Sequence, residues 1–175
     1  MKKHQPVHLY VDNSWYFLTV KIYGSQHILD EDVKKQLLLE KLKYEFKSFG
    51  YELKAWVILD NHYHLEFKTD RGNILSKILN RVHGNISYTI NKMDNQEKRK
   101  VFQNYWDSCI RSERDLWTRF NYIHHNPVKH GYSQRMEEYD FSSYNRYLKE
   151  YGKEWLDDCF QKYPIIDFTL EGDND

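Results

Sequence analysis

The fold is decided by residues 55–67, which read AWVILDNHYHLEF. Two apolar, strand-like runs flank a polar turn at residues 60–61, and the second run carries His62 and His64. Because side chains alternate between the two faces of a strand, both imidazoles project from one face and can share one metal ion. Tyr63, which lies between them, is expected to face the opposite way. Two strand histidines at this spacing also occur by chance, as half-exposed residues without a metal.

The elements on either side of this stretch follow the order β-α-β-β-α-β. Alternating apolar residues predict strands and a spacing near 3.6 predicts helices. The pattern predicts strands at 15–22, 51–59 and 61–68, helices at 30–48 and 74–91, and a fourth strand within 101–111. This order is typical of an α+β, ferredoxin-like (split βαβ) fold, an antiparallel sheet with helices on one face. The two histidines then lie on a central strand.

A third helix is predicted at residues 113–126, ending before Pro127, and it carries Tyr122 and Asn126. Residues four apart share one face of a helix. A tyrosine hydroxyl can attack phosphorus when a nearby cation assists, and an amide oxygen can serve as a further metal ligand. The alternative is structural: Tyr122 is one of 15 tyrosines and packs the helix, while Asn126 precedes a proline turn.

The charge of the chain is unevenly distributed. The net charge is zero, but residues 154–175 carry seven acids and one base, which leaves a net charge of +6 on residues 1–153. We therefore predict a main domain at 1–150 and an acidic C-terminal extension at 151–175. A mildly basic body is compatible with phosphate binding. The predicted DNA-binding residues are Lys98, Arg99, Lys100, Arg111, Lys129 and His130, whereas the adjacent His124 and His125 are oriented too differently to chelate one ion.

The sequence has no membrane or secretion signal. No apolar run approaches the roughly 20 residues of a membrane-spanning helix, and no apolar stretch follows the two lysines at the N-terminus. Cys109 and Cys159 lack metal-binding spacing, so we interpret them as reduced thiols. Together these features predict a cytoplasmic protein.

Three stretches resemble the single-tyrosine HUH transposases, most closely the REP-associated tyrosine transposases. In chain order they read AWVILDNHYH (55–64), FQNYWDSCIR (102–111) and YIHHNPVKHG (122–131). The resemblance covers roughly residues 10 to 150. It implies an HUH-endonuclease type of ferredoxin-like fold, with His62 and His64 as the metal-binding pair, Tyr122 as the nucleophile and Asn126 as a third ligand.

The same resemblance implies the substrate and the chemistry. Such enzymes cleave and rejoin single-stranded DNA, often beside an imperfect hairpin, through a 5′-phosphotyrosine intermediate, with Mg²⁺ or Mn²⁺ and no nucleotide. One tyrosine per site is compatible with a monomer or a homodimer. Two other functions stay open: a non-catalytic module that binds single strands on the same fold, and a metal-dependent hydrolase that uses water. A covalent protein–DNA species distinguishes the transposase from both.

Overall fold

The computed structural model describes residues 11–166. Within that range the chain forms four strands and five α-helices. The strands are β1 (Trp15–Ile22), β2 (Glu52–Ile58), β3 (His62–Lys68) and β4 (Phe102–Ile110). The helices are α1 (Asp32–Ser48), α2 (Leu75–Met93), α3 (Glu113–Lys129), α4 (Tyr144–Tyr151) and α5 (Lys153–Lys162).

The strands pair in the order β2-β3-β1-β4, and every neighbouring pair is antiparallel. This is the strand order of the split βαβ arrangement, so the predicted α+β, ferredoxin-like fold and the central position of β3 are confirmed. The register sets Thr19 of β1 opposite His64 and Lys21 opposite His62. β4 is one continuous strand within the predicted range 101–111.

The first face of the sheet packs on α1 and α2. Leu18 and Val20 of β1, together with Tyr63 and Leu65 of β3, are fully buried in this core. Tyr63 therefore faces away from the two histidines, as strand alternation predicts. The helices predicted on one face of the sheet correspond to α1 and α2, the two crossover helices.

The second face, which carries His62 and His64, is covered by α3. Phe120 and Ile123 of α3 are fully buried in a second core with Phe17 and Val57 of the sheet. The Ser112 hydroxyl begins the helix by accepting a hydrogen bond of 3.1 Å from the Asp115 amide. The position of α3 above this face brings its functional residues to the sheet.

The predicted end of α3 at Pro127 is wrong, because the helix continues to Lys129. Proline lacks the amide hydrogen of the helical ladder and restricts the preceding residue, which normally ends a helix. Here Asn126 and Pro127 are both buried, and the Asn126 carbonyl accepts a hydrogen bond of 3.0 Å from the His130 amide. Packing against the sheet thus outweighs the local cost and keeps Asn126 helical.

Two further helices, α4 and α5, follow α3 and were not predicted from the sequence. The side-chain Nδ2 of Asn121 on α3 donates to the backbone carbonyls of Cys159 (3.0 Å) and Tyr163 (2.8 Å). These hydrogen bonds join α5 to α3. The domain boundary at residue 150 stays a prediction. Four acids of the extension, Asp167, Glu171, Asp173 and Asp175, lie outside the described residues. None of the helices within 11–166 is both long and apolar enough to cross a membrane.

His124 links α3 to the edge of the sheet. Its Nε2 lies 2.7 Å from Ser143 Oγ, and that hydroxyl also accepts from the Trp56 amide and donates to the Trp56 carbonyl. His124 Nε2–H is therefore the donor, and Nδ1, which is buried without a hydrogen-bond partner, is left unprotonated in a neutral ring. Complete burial lowers the pKa of His124 to about 3, helped by the charges of Arg146 and Lys54.

We expect His124→Gln to reduce the pH dependence of folding stability. Unfolding lets the imidazole take up a proton below its ordinary pKa of 6.5, whereas the folded protein resists protonation down to about pH 3. Stability contributed by neutral His124 is thus present above pH 6.5 and is lost as the pH falls. Between pH 7 and pH 4.5, the wild type should lose about 2 kcal/mol more unfolding free energy than His124→Gln in urea titrations. An equal loss of unfolding free energy in the wild type and in His124→Gln would contradict the assignment of His124 as a neutral, buried imidazole.

Candidate active site

Tyr122 and Asn126 of α3 lie directly above the histidines of β3. The ring centroid of Tyr122 is 5.4 Å from that of His64, and the rings meet edge to face. Asn126 Oδ1 is 3.0 Å from His62 Nε2, and the centroids of the two imidazoles are 5.0 Å apart. The structure therefore brings together the four residues whose catalytic and metal-binding roles were predicted from two distant segments.

His64 is held as a neutral imidazole with one nitrogen engaged. Its Nδ1 lies 2.9 Å from the hydroxyl of Thr19, which is 2% exposed on β1. Burial lowers the pKa of His64 well below its usual value, and the nearby His62, His130, Lys129 and Lys21 lower it further. When Nδ1–H donates to Thr19, the lone pair of Nε2 remains available to a cation, as is usual for metal-binding histidines.

His62 has an oxygen acceptor at each ring nitrogen. Its Nδ1 is 2.7 Å from Asn61 Oδ1, and its Nε2 is 3.0 Å from Asn126 Oδ1. A neutral imidazole donates only one hydrogen bond, so donation to Asn61 leaves two lone pairs facing each other between His62 and Asn126. In addition, Asn126 Nδ2 is buried without a hydrogen-bond partner. A cation between the two facing atoms would remove their repulsion.

The donor atoms fit a divalent cation. Mg²⁺ or Mn²⁺ would be held by His62 Nε2 and Asn126 Oδ1, which lie 3.0 Å apart. His64 would add a second nitrogen to this set. Among residues 11–166, no three His, Cys, Asp or Glu side chains form a metal-binding group, so the amide of Asn126 is required to complete a set of three.

Two of the predicted DNA-binding residues lie at this site. The Nζ of Lys129 is 5.2 Å from the centroid of the Tyr122 ring, and the ring of His130 is 4.9 Å from that of His62. Together with Lys21, opposite His62, they give the site a basic character. That charge suits a phosphodiester.

The other predicted DNA-binding residues are spread more widely. Lys98, Arg99 and Lys100 precede β4, at the end of the sheet where His62 lies, but Arg99 is committed to an ion pair with Asp94. Lys100 lies over the ring of Tyr23, with its Nζ 4.7 Å from the ring centroid. Arg111 follows Ile110, which pairs with Trp15 at the opposite end of the sheet. The structure does not bring Arg111 to the site, and the DNA-binding role of the set stays a prediction.

Two residues of the site were not anticipated. Thr19 touches His64 from the neighbouring strand, and Asn61 touches His62 from the turn before β3. The contact of Thr19 with His64 could not be predicted, because periodicity does not give the pairing register of two strands that are distant in sequence. Asn61 sat beside the histidine motif, but a polar turn residue has an ordinary structural explanation.

We expect Thr19→Val to weaken metal binding without disturbing the packing of β1. Valine has nearly the shape of threonine but cannot accept the hydrogen bond from His64 Nδ1–H, so the imidazole loses its fixed orientation. Loss of such an outer partner typically lowers metal affinity about 10- to 100-fold. Titration with Mn²⁺ by calorimetry checks this, with Thr19→Ser as the control that keeps the hydroxyl. Wild-type affinity in Thr19→Val would remove Thr19 from the site.

Known proteins resemble this chain in sequence and in fold. A REP-associated tyrosine transposase of Escherichia coli K12 is 23% identical over 138 residues, 78% of this chain and 80% of that protein. A Haemophilus influenzae protein named as a REP-associated tyrosine transposase is 38% identical over 53 residues, 29% of this chain and only 30% of its own length. The solved structure of a REP-associated tyrosine transposase bound to a REP hairpin superimposes with a TM-score of 0.69 at 23% identity, covering 85% of this chain and 86% of that one. The family model described as "Transposase IS200 like" matches residues 11–126, which is more than half of the sequence, and the chain therefore belongs to the IS200-like transposase family.

Proposed function

We propose that this protein cleaves and rejoins single-stranded DNA through a 5′-phosphotyrosine at Tyr122. Membership of a transposase family supports an enzyme that acts on DNA. The observation that carries the finer proposal is the contact between Tyr122 and His64, 5.4 Å apart by ring centroids, beside the facing atoms of His62 and Asn126. The proposed nucleophile and the proposed cation-binding atoms thus lie together over one face of the sheet.

The proposed reaction is a transesterification. Tyr122 Oη attacks the phosphorus, so that an Oη–P bond forms, the bond from phosphorus to the 3′-oxygen breaks, the phenol loses its proton and the 3′-oxygen gains one. Mg²⁺ or Mn²⁺ held by His62, His64 and Asn126 would polarise the phosphate and offset the developing negative charge. Because the phosphotyrosine is itself a phosphodiester, a second 3′-hydroxyl can reverse the step and join strands without ATP.

Access to Tyr122 requires a change in its surroundings. The residue is only 3% exposed, so a phosphate reaches its hydroxyl when part of the cover moves aside. Lys129, whose ammonium group lies over the Tyr122 ring, belongs to that cover. We propose that the Lys129 ammonium exchanges this ring contact for a contact with the incoming phosphate.

The proposed substrate is a DNA strand that contains a hairpin. The structurally similar REP-associated transposase is described as bound to a REP hairpin, and this chain shares the fold over 85% of its length. We propose that imperfect hairpins formed by repeats near the gene of this protein are recognised in the same way. A single-stranded segment beside such a hairpin would supply the phosphate for Tyr122.

The experiment uses oligonucleotides from both strands of the DNA flanking the gene, each labelled at either its 3′ or its 5′ end. With Mn²⁺, the 3′-labelled strand should migrate with the protein on a denaturing gel, while the 5′-labelled strand should yield a shortened free product. Cleavage with no protein-linked label would instead indicate a hydrolase that uses water. Binding to hairpin DNA without cleavage would indicate the non-catalytic module.

A further inference from the structure

A cavity of about 450 Å³ opens beside His62. Two of its lining residues contact His62 directly: Asn61 Oδ1 lies 2.7 Å from Nδ1, and the ring of His130 lies 4.9 Å from the His62 ring. Its volume falls within the range of about 300–1,000 Å³ that is usual for small-ligand pockets. We name it the His27 pocket; besides Gly131, it is lined by Ser25, His27, Asp60, Asn61, His130 and Tyr132.

The walls of the His27 pocket carry a fixed carboxylate. Asp60 Oδ1 pairs with Lys35 Nζ at 2.9 Å, and Asp60 Oδ2 lies 3.4 Å from His27 Nδ1. These contacts hold the carboxylate in place, and its side chain is 18% exposed. An ionised carboxylate has about four acceptor positions, so Asp60 can still accept a hydrogen bond from a ligand.

Flat rings and nearby cations complete the chemistry of the pocket. His27, 60% exposed by its side chain, lines it together with His130 and Tyr132, and such rings can stack on a base. Lys21 lies opposite His62 in the sheet and Lys129 directly precedes His130, so positive charge lies near the pocket. A ring-shaped ligand with hydrogen-bond donors and an attached phosphate matches these features.

We propose that the His27 pocket receives one unpaired nucleobase of the DNA strand, next to the phosphate that Tyr122 attacks. This inference rests on the proposed function and adds a subsite to it. Asp60 only accepts hydrogen bonds, so it favours a base with an exocyclic amino group (cytosine, adenine or guanine), which offers two N–H donors, over thymine, whose only donor is N3–H. The base is unpaired because a base that is paired and stacked within a duplex cannot enter the pocket.

The first test substitutes an abasic nucleotide at each position around the cleaved phosphate and measures adduct formation. At one position next to that phosphate, the abasic nucleotide should slow adduct formation by the wild type about tenfold, since stacking of one base contributes on that scale. The same abasic nucleotide should change the rate of adduct formation by His27→Ala by less than about twofold, because the altered pocket no longer binds the base. Gln26→Ala, an exposed neighbour outside the lining, is the matched control and should behave like the wild type. Equal abasic effects in all three proteins would overturn the proposal.

The selectivity of Asp60 is tested at the position found in this way. Among the four bases placed there, thymine should react most slowly with the wild type, and Asp60→Asn should reduce that difference. Urea titration confirms that Asp60→Asn is folded despite its weakened pair with Lys35. Equal rates for all four bases in the wild type would overturn the selection by Asp60.

A binding measurement separates this proposal from the proposed function. The four deoxynucleoside 5′-monophosphates are titrated into the Tyr122→Phe protein while NMR follows the ring signals of His27 and His130. Shifts with dCMP, dAMP or dGMP, but not with deoxyribose 5-phosphate, would support base binding. No shift with any nucleotide would overturn it. Nucleotide binding by Tyr122→Phe, combined with a wild-type protein that forms no adduct with any DNA, would refute the transesterase and leave base binding in place.

Discussion

Tyr122→Phe is expected to abolish the covalent protein–DNA adduct while leaving DNA binding close to that of the wild type. Phenylalanine keeps the ring that packs against His64 and Phe17, so the packing of α3 on the sheet is preserved. Only the oxygen that forms the bond to phosphorus is removed. Loss of a nucleophile typically lowers the rate by at least ~10³-fold, which places the variant below detection in a gel assay.

The control for this variant is Tyr88→Phe. Tyr88 is 71% exposed on α2, on the opposite side of the sheet from Tyr122, and its hydroxyl has no part in the proposed reaction. It should form the adduct at the wild-type rate. An undiminished adduct in Tyr122→Phe would show that another side chain is the nucleophile, even if strand cleavage still depends on Mn²⁺.

Replacing both His62 and His64 with alanine is expected to eliminate Mn²⁺ binding and, with it, metal-dependent cleavage. The two imidazoles supply both nitrogen donors, and the amide oxygen of Asn126 alone is a weak ligand. We expect Mn²⁺ affinity to fall at least about 100-fold by calorimetry, because even the loss of an outer hydrogen-bond partner costs about 10- to 100-fold. Hairpin DNA binding should persist, since Lys129 and the other basic residues remain.

A matched control is His83→Gln, which removes another histidine from the opposite face of the sheet. His83 Nε2 lies 2.7 Å from the Tyr63 hydroxyl, and burial lowers the pKa of His83 to about 4. The variant should bind Mn²⁺ as the wild type does. Because His62 and His64 are both buried, the single variants His62→Gln and His64→Gln provide milder changes if the double variant unfolds. Wild-type Mn²⁺ affinity in the folded variants would refute the ligand assignment.

The predictable part of the site followed from two local periodicities. Strand alternation alone put His62 and His64 on one face, and helix periodicity put Tyr122 and Asn126 on another. The β-α-β-β-α-β order then placed the histidines on a central strand, which the sheet confirms. The meeting of the two faces was an expectation from the family resemblance, because local patterns do not say how a third helix packs.

The unpredicted features depend on contacts between distant segments. Thr19 reaches His64 only through the β1–β3 register, and His124 is a core residue only because Ser143 folds back onto β2. Pro127 is a different case: proline usually ends a helix, but α3 continues past it because the last turn of the helix is buried. Local patterns thus indicated which residues can act, whereas tertiary packing determined their partners.

The most direct test of the central claim is the mass of one tryptic peptide from the protein–DNA adduct. Cleavage after Arg119 and Lys129 releases residues 120–129, FNYIHHNPVK, in which Tyr122 is the only tyrosine. After the adduct has been isolated and its DNA trimmed with nuclease, the account predicts that this peptide carries a nucleotide joined through its 5′-phosphate to Tyr122. An unmodified 120–129 peptide, with the nucleotide on another peptide of the same adduct, would contradict it.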